Sequence, residues 1–184
     1  MQLPIEELTI SEFHTSIRSK QITSKELVEE YLFRIKNIDE NGPKLNSTIT
    51  VNENALQEAE ALDNYFNREG ELIGPLHGVP IAVKDQIETA GIMTTFGSIA
   101  MQGYVPTEDA TVISKLKDAG AIILAKTTMP DFATSWFGYS SKNGVSKNPY
   151  DLDYDPGGSS GGTGIAVAAN LAMVGIGEDT GGSI

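Results

Sequence analysis

The sequence of 184 residues has no cysteine and only two histidines, His14 and His77. The lack of cysteine excludes disulfides, thiolate metal ligands and a cysteine nucleophile. No histidine follows the serine-rich segments near the end of the chain, so the downstream histidine that α/β-hydrolases pair with their serine is absent. A reactive serine in this chain would need a different base. We expect no metal and no cofactor.

Long apolar runs and a positive charge balance are also missing. No stretch approaches the roughly 18 apolar residues needed to span a bilayer. The first residues lack the basic start and apolar run of a signal peptide. The formal net charge of −12 repels phosphate backbones. We therefore expect a cytoplasmic chain that binds neither membranes nor nucleic acid directly.

The first third of the chain has the pattern of helices. Capping boxes, in which two side chains bond each other's backbone at a helix start, are predicted at Thr9 with Glu12 and at Thr23 with Glu26. A further helix is predicted over residues 53–68.

The pattern changes at Gly74, after which strands and helices alternate. The predicted elements are a strand at 79–84, a helix at 107–119, a strand at 121–125, a long loop at 128–162, a helix at 164–172 and a strand within 171–177. The apolar run at 121–125 is typical of a strand that is buried on both faces. This alternation predicts an α/β layer architecture.

Two serine- and glycine-rich segments lie near the end of the chain, at residues 156–164 and 178–184. A flexible linker is disfavoured because the first segment leads into the apolar residues 165–169, which should be buried. A phosphate-binding loop is disfavoured because no lysine follows either glycine cluster. Residues 157–161 match G-x-S-x-G, but the nucleophile elbow also needs a preceding strand, which the sequence does not predict here.

Lysine is the remaining candidate base for a serine, and Lys84 ends a predicted apolar strand. Burial lowers the pKa of a lysine and so makes its neutral, proton-accepting form accessible. The alternative is an ordinary lysine that reaches solvent from the strand end and pairs with Asp85. A second pair, Ser114 and Lys117, matches S-x-x-K but lacks the other motifs of penicillin-binding enzymes.

Several spaced blocks, taken together, resemble the amidase signature family. They are Gly74–Asp85, Asp109–Val112, Gly120–Thr127, Asn148-Pro149, Gly157–Gly162 and Asp179–Ile184. The resemblance implies an α/β fold with layered helices around a central mixed β-sheet. It implies that residues 1–184 are the N-terminal part of a single domain, with a helical region at 1–70 and the signature core at 71–184.

The resemblance also implies a Ser–Ser–Lys triad. In that assignment Ser183 is the nucleophile, Ser159 is the bridging serine after a cis peptide bond with Gly158, and Lys84 is the base. The oxyanion hole would consist of the backbone N–H groups of four consecutive residues, Thr180, Gly181, Gly182 and Ser183. Ser160, Gly158 and Asp179 would support the site. The chain departs from the family at Glu178, where members usually have a small residue.

The implied function is hydrolysis of a small-molecule carboxylic amide through an acyl-enzyme. Family members are more than twice as long as this chain and continue beyond the block that ends at Ile184. We therefore expect an N-terminal fragment that is inactive without its C-terminal half or partner subunits. The alternatives are the A subunit of a glutamyl-tRNA(Gln) amidotransferase, which would release ammonia from glutamine, and a non-catalytic remnant or interaction module.

Overall fold

The computed structural model describes residues 5–184 as helices packed around a four-stranded sheet, with a small hairpin beside it. The helices are α1 (Ile10–Arg18), α2 (Ser24–Arg34), α3 (Ala55–Glu69), α4 (Thr111–Asp118) and α5 (Gly161–Ala168). The strands are β1 (Thr48–Val51), β2 (Pro80–Lys84), β3 (Ile122–Thr127), β4 (Tyr139–Ser140), β5 (Gly144–Val145) and β6 (Val174–Ile176). Residues 1–4 of the predicted helical region lie outside the described residues.

The main sheet has the order β1-β3-β2-β6. Strand β2 pairs in parallel with both β3 and β6, whereas β1 runs antiparallel to β3. Every residue of β2 and β3 is buried, which explains why both read as continuous apolar runs. The mixed sheet and surrounding helices confirm the predicted fold class.

Both predicted capping boxes are present, at the start of α1 and of α2. Side chains from these N-terminal helices, including Phe13 and Tyr31, share one apolar core with the central strands. The division at residue 70 within a single domain stays a prediction. Within residues 5–184, no helix is both long enough and apolar enough to cross a membrane.

Several boundaries differ from the sequence prediction, and the predicted loop at 128–162 contains the hairpin of β4 and β5. Helix α4 begins at Thr111 rather than 107, and α5 is Gly161–Ala168 rather than 164–172. Strand β3 continues through Lys126 and Thr127, because both residues pair with β1 and β2 in the sheet, and both side chains are buried in spite of their polarity. Strand β1 was not predicted, since this edge strand is only partly buried and contains two threonines.

Candidate active site

The candidate site lies at the carboxyl edge of the parallel strands. Strand β2 ends at Lys84, and the chain after β6 leads within two residues to Glu178. Helix α5, which packs against β2 and β6, is preceded by Ser159 and Ser160. Ligand sites of open α/β sheets form at this edge, because the loops that follow parallel strands converge there. The topology thus joins segments that are 75 residues or more apart in the chain.

Lys84 and Ser159 are in direct contact inside the protein. The Lys84 ammonium nitrogen lies 2.7 Å from Ser159 Oγ, and neither residue is exposed to solvent. The peptide bond between Gly158 and Ser159 is cis, as the resemblance implied. The alternative in which Lys84 reaches solvent and pairs with Asp85 is wrong. Instead, Lys84 pairs with Glu178, and Asp85 faces a different lysine, Lys126.

Burial lowers the pKa of Lys84, because the charged form loses its hydration inside the protein. Glu178 opposes this shift through a hydrogen bond and its negative charge, and the negative charge of Asp179 also raises the pKa of Lys84. The Glu178 carboxylate lies 3.2 Å from the Lys84 nitrogen, and the Glu178 carbonyl lies at 2.9 Å. The candidate base is therefore desolvated but faces a carboxylate.

Ser160 connects the two serine- and glycine-rich segments. Its backbone N–H donates to the Ser183 carbonyl at 3.0 Å, and its hydroxyl lies within hydrogen-bond distance of the carbonyls of Glu178 and Ser183. The Glu178 N–H in turn donates to Ser160 Oγ at 3.2 Å. These bonds hold the end of the chain against the start of α5.

Ser183 lines a cavity of about 460 Å³. The lining also includes Gln86 and Glu178 together with the aromatic side chains of Phe96, Phe132 and Trp136. Phe132 and Trp136 are largely exposed, so the cavity is open on that side. No hydrogen bond joins the hydroxyls of Ser159 and Ser183 in the part of the chain that the structure describes.

The predicted oxyanion-hole segment follows Asp179. The N–H groups of Gly182 and Ser183 both donate to Asp179 Oδ1, the second at 2.9 Å. These hydrogen bonds lower the pKa of Asp179, because they stabilise its carboxylate. Two of the four predicted oxyanion donors therefore already bind a negatively charged oxygen, and the assignment of the hole stays a prediction.

Sequence reasoning missed a second buried lysine beside the site. The Lys126 nitrogen donates to the Ile87 carbonyl at 2.7 Å and to Thr94 Oγ1 at 2.8 Å, and it lies 3.8 Å from Asp85 Oδ1. The other oxygen of Asp85 accepts from the backbone of Thr95. Lys126 ends an apolar run much as Lys84 does, so the same sequence signal could have found it.

The remaining sequence candidates lie elsewhere. His77 packs against Tyr65 and Phe66, and His14 bonds the carbonyl of His77 at 2.9 Å, so both histidines have packing roles. Lys117 pairs with Asp109 at 2.8 Å rather than with Ser114. Across residues 5–184, no group of three or more His, Asp or Glu side chains is arranged to hold a metal ion.

The fold and this cluster define a class of α/β protein in which a buried lysine contacts a serine that follows a cis peptide bond. The family model described as Amidase matches residues 26–184. The chain belongs to the amidase family, which confirms the resemblance drawn from the spaced blocks.

Individual relatives agree with this assignment. The chain is 46% identical over 183 residues to the A subunit of the glutamyl-tRNA(Gln) amidotransferase of Alkaliphilus metalliredigens, a match that covers 99% of this chain and 36% of that protein. The structure of this chain is similar to that of native peptide amidase from Stenotrophomonas maltophilia. The TM-score is 0.94 and the sequence identity 41%, and the match covers 98% of this chain and 38% of the peptide amidase chain. An amidase family protein from Bacillus anthracis str. Ames matches with a TM-score of 0.88 and 37% identity, covering 96% and 36%.

The chain spans about a third of the length of the curated relatives that it matches. The prediction that this chain contains only part of the family's fold is confirmed, because its sheet and helices correspond to 38% of the peptide amidase chain.

Proposed function

We propose that this protein, at its natural full length, is an amidase that hydrolyses a small carboxylic amide to an acid and ammonia or an amine. The observation that carries the proposal is the 2.7 Å contact between Lys84 Nζ and Ser159 Oγ in a fully buried setting. Membership of the amidase family supports it. The whole activity is proposed for the full-length polypeptide because the chain spans about a third of its relatives.

In the proposed reaction, neutral Lys84 takes a proton from Ser159, which takes the proton of Ser183. Ser183 Oγ then attacks the amide carbonyl carbon to form a tetrahedral intermediate. The C–N bond breaks, the proton passes to the leaving nitrogen, and an acyl-enzyme on Ser183 remains. A water molecule then gives a proton to the same path and attacks the acyl carbon. The bond between that carbon and Ser183 Oγ breaks, Ser183 Oγ takes the proton back, and the acid is released. Burial of Lys84 supports this role, because its lowered pKa favours the neutral form.

The oxyanion of the intermediate would be bound by the backbone N–H groups of residues 180–183. Those of Gly182 and Ser183 donate to a carboxylate oxygen of Asp179, so they are oriented toward a negatively charged oxygen. This supports the proposal that they can stabilise a developing oxyanion once substrate is bound. Ser160 would keep the segment in register with Ser159 through its bonds to Ser183 and Glu178.

The test combines covalent labelling with amide hydrolysis by the full-length protein. A fluorophosphonate probe should modify Ser183, and Ser183→Ala should abolish both labelling and hydrolysis, lowering kcat by about 10⁴-fold or more because the nucleophile is lost. Ser114→Ala is the matched control, since it removes the serine of the S-x-x-K alternative and should leave both unchanged. Undiminished hydrolysis by Ser183→Ala would contradict the proposal.

A second candidate is the glutaminase component of an amidotransferase, and the 46% identity to the A subunit of a glutamyl-tRNA(Gln) amidotransferase favours it. In that case the substrate amide is glutamine, and partner subunits receive the ammonia. Ammonia release from glutamine that appears only with partner subunits would support this candidate, whereas hydrolysis of simple amides by the protein alone would support the first. Either reaction is proposed to take place in the cytoplasm, which fractionation of cells would test.

The same experiments also test the alternative that the protein is not a catalyst. If the full-length protein is folded but is not labelled at Ser183 and hydrolyses no amide with or without partners, the non-catalytic alternative is supported instead. Retained helix content by circular dichroism separates that outcome from simple unfolding.

A further inference from the structure

Glu178 presents two acceptors to Lys84. The carbonyl oxygen of Glu178 lies 2.9 Å from Lys84 Nζ and its carboxylate oxygen Oε2 lies at 3.2 Å, while Ser159 Oγ lies at 2.7 Å. An ammonium group has three N–H donors, so it can donate to all three oxygens. A neutral amine has two N–H donors and a lone pair, so it makes the same three contacts by donating to both Glu178 oxygens and accepting from the Ser159 hydroxyl. The contacts fit either form, and the negative charge of the Glu178 carboxylate at 3.2 Å is what favours the ammonium.

The Glu178 carboxylate is held in place from its other side. Gln86 Nε2 donates to Oε2 at 2.7 Å, and the hydroxyl of Thr180 donates to Oε1. The side chain is 29% exposed and lines the same cavity as Ser183. The carboxylate therefore stands between the buried amine and the space in which a substrate would approach Ser183.

Few other charges face Lys84. Asp179 also raises its pKa, but the Asp179 carboxylate is turned toward the backbone of Gly182 and Ser183. On the neighbouring strand β3, Lys126 is directed to Ile87 and Thr94 rather than to Lys84. Strand β6 and helix α5 contain no titratable residue. Glu178 is therefore the carboxylate in direct contact with the amine.

We propose that Glu178 is a positioning residue that holds Lys84 as an ammonium in the resting site, and that this contact must be broken before Lys84 can act as a base. The inference rests on the proposed function for its effect on catalysis. It concerns the proton affinity of Lys84 in the protein itself, so it can be measured without any substrate.

The first experiment follows the titration of Lys84 by NMR in the full-length protein labelled with ¹³C at lysine Cε, with Lys84→Arg used to assign the resonance. Glu178→Gln removes the charge and preserves the shape, and we expect it to lower the titration midpoint of Lys84 by about one pH unit or more, since a carboxylate at this distance favours the charged lysine. Glu88→Gln is the matched control. Its carboxylate contacts the Tyr104 hydroxyl and not Lys84, so the midpoint should stay at the wild-type value.

The second experiment compares pH profiles of kcat/KM. The rising limb for Glu178→Gln should move to lower pH by the same interval as the NMR midpoint, and Glu178→Asp, which keeps the charge, should move it back toward the wild-type position.

A midpoint of Lys84 that is unchanged by Glu178→Gln overturns the inference, whether or not the protein has activity. If Glu178→Gln does not fold, Glu178→Ser provides the same comparison. An inactive wild type with a shifted midpoint in the variant would contradict the proposed function and leave the inference supported.

Discussion

Two lysines at the ends of adjacent strands show how the surroundings of one side chain decide its role. Lys84 and Lys126 are both fully buried, and burial lowers the pKa of each. Lys84 contacts the buried hydroxyl of Ser159 and the carboxylate of Glu178, so it is the lysine proposed to act as a base. Lys126 contacts backbone and threonine oxygens and faces the buried carboxylate of Asp85, so its contacts hold residues 85–97 in place.

This difference predicts that Lys126→Met is strongly destabilising. Removing the ammonium leaves Asp85 buried without its countercharge, and a broken buried pair costs about 3–5 kcal/mol of unfolding free energy. Lys117→Met is the control, because Lys117 pairs with Asp109 near the surface and the side chain of Lys117 is 34% exposed, and such pairs contribute only about 0–1 kcal/mol. Urea denaturation of the three proteins measures both effects, and equal losses in the two variants would argue against a structural role for Lys126.

Helix α5 places the serines, and its glycines explain how it approaches the sheet. A Cβ atom on Gly162 would lie 2.4 Å from the Thr128 carbonyl oxygen and 2.6 Å from that of Ser47. The Gly162 N–H donates to the same Thr128 carbonyl at 3.0 Å. The first turn of α5 therefore packs on the backbone that follows β3, and this close contact brings Ser159 to Lys84.

We predict that two glycine-to-alanine changes in α5 have opposite effects on stability. Gly162→Ala should destabilise by about 2 kcal/mol or more, because the new methyl group overlaps backbone atoms that cannot move aside. Gly164 has open space around its Cβ position, so Gly164→Ala should stabilise by about 0.5–1 kcal/mol through the higher helix propensity of alanine. Thermal unfolding of both variants measures the difference. A gain in stability from both variants would show that helix propensity and not contact with the sheet limits α5.

On the scale of the whole molecule, buried lysines make stability depend on pH. Burial lowers the pKa of Lys126 to about 8, whereas an unfolded lysine titrates near 10.4. Between these values the unfolded chain binds more protons than the folded chain, so the unfolding free energy rises with pH. Burial raises the pKa of Tyr31 to about 12, which acts in the opposite direction only above about pH 10.

The expected outcome is an unfolding free energy that increases from about pH 8 to about pH 10 more steeply in the wild type than in Lys126→Met, because the variant lacks this titrating group. Urea denaturation at several pH values gives the two slopes, and their difference cancels the general effect of the net charge of −12. Identical slopes would mean that Lys126 titrates as it does in the unfolded chain.

The sequence predicted most of the fold because its signals were local. The capping boxes at Thr9 and Thr23 and the apolar runs of β2 and β3 depend on neighbouring residues alone, and the structure has them. Strand β1 was missed because its partner, β3, lies more than 70 residues away, and the pairing rather than its composition makes it a strand. The apolar run that ends at Lys126 carries the same signal as the run that ends at Lys84, but the partners of Lys126 lie more than 30 residues away in the chain and cannot be read from that run.

The sequence by itself determined the family, the α/β architecture and the residues from which a site can be built, since spaced blocks of residue types in a given order carry that information. Only the tertiary structure decided their charge relations, because pKa shifts depend on burial and on distances between segments far apart in the chain. It placed Lys84 against Ser159, directed Asp179 to the backbone of Gly182 and Ser183, and set the carboxylate of Glu178 beside the candidate base.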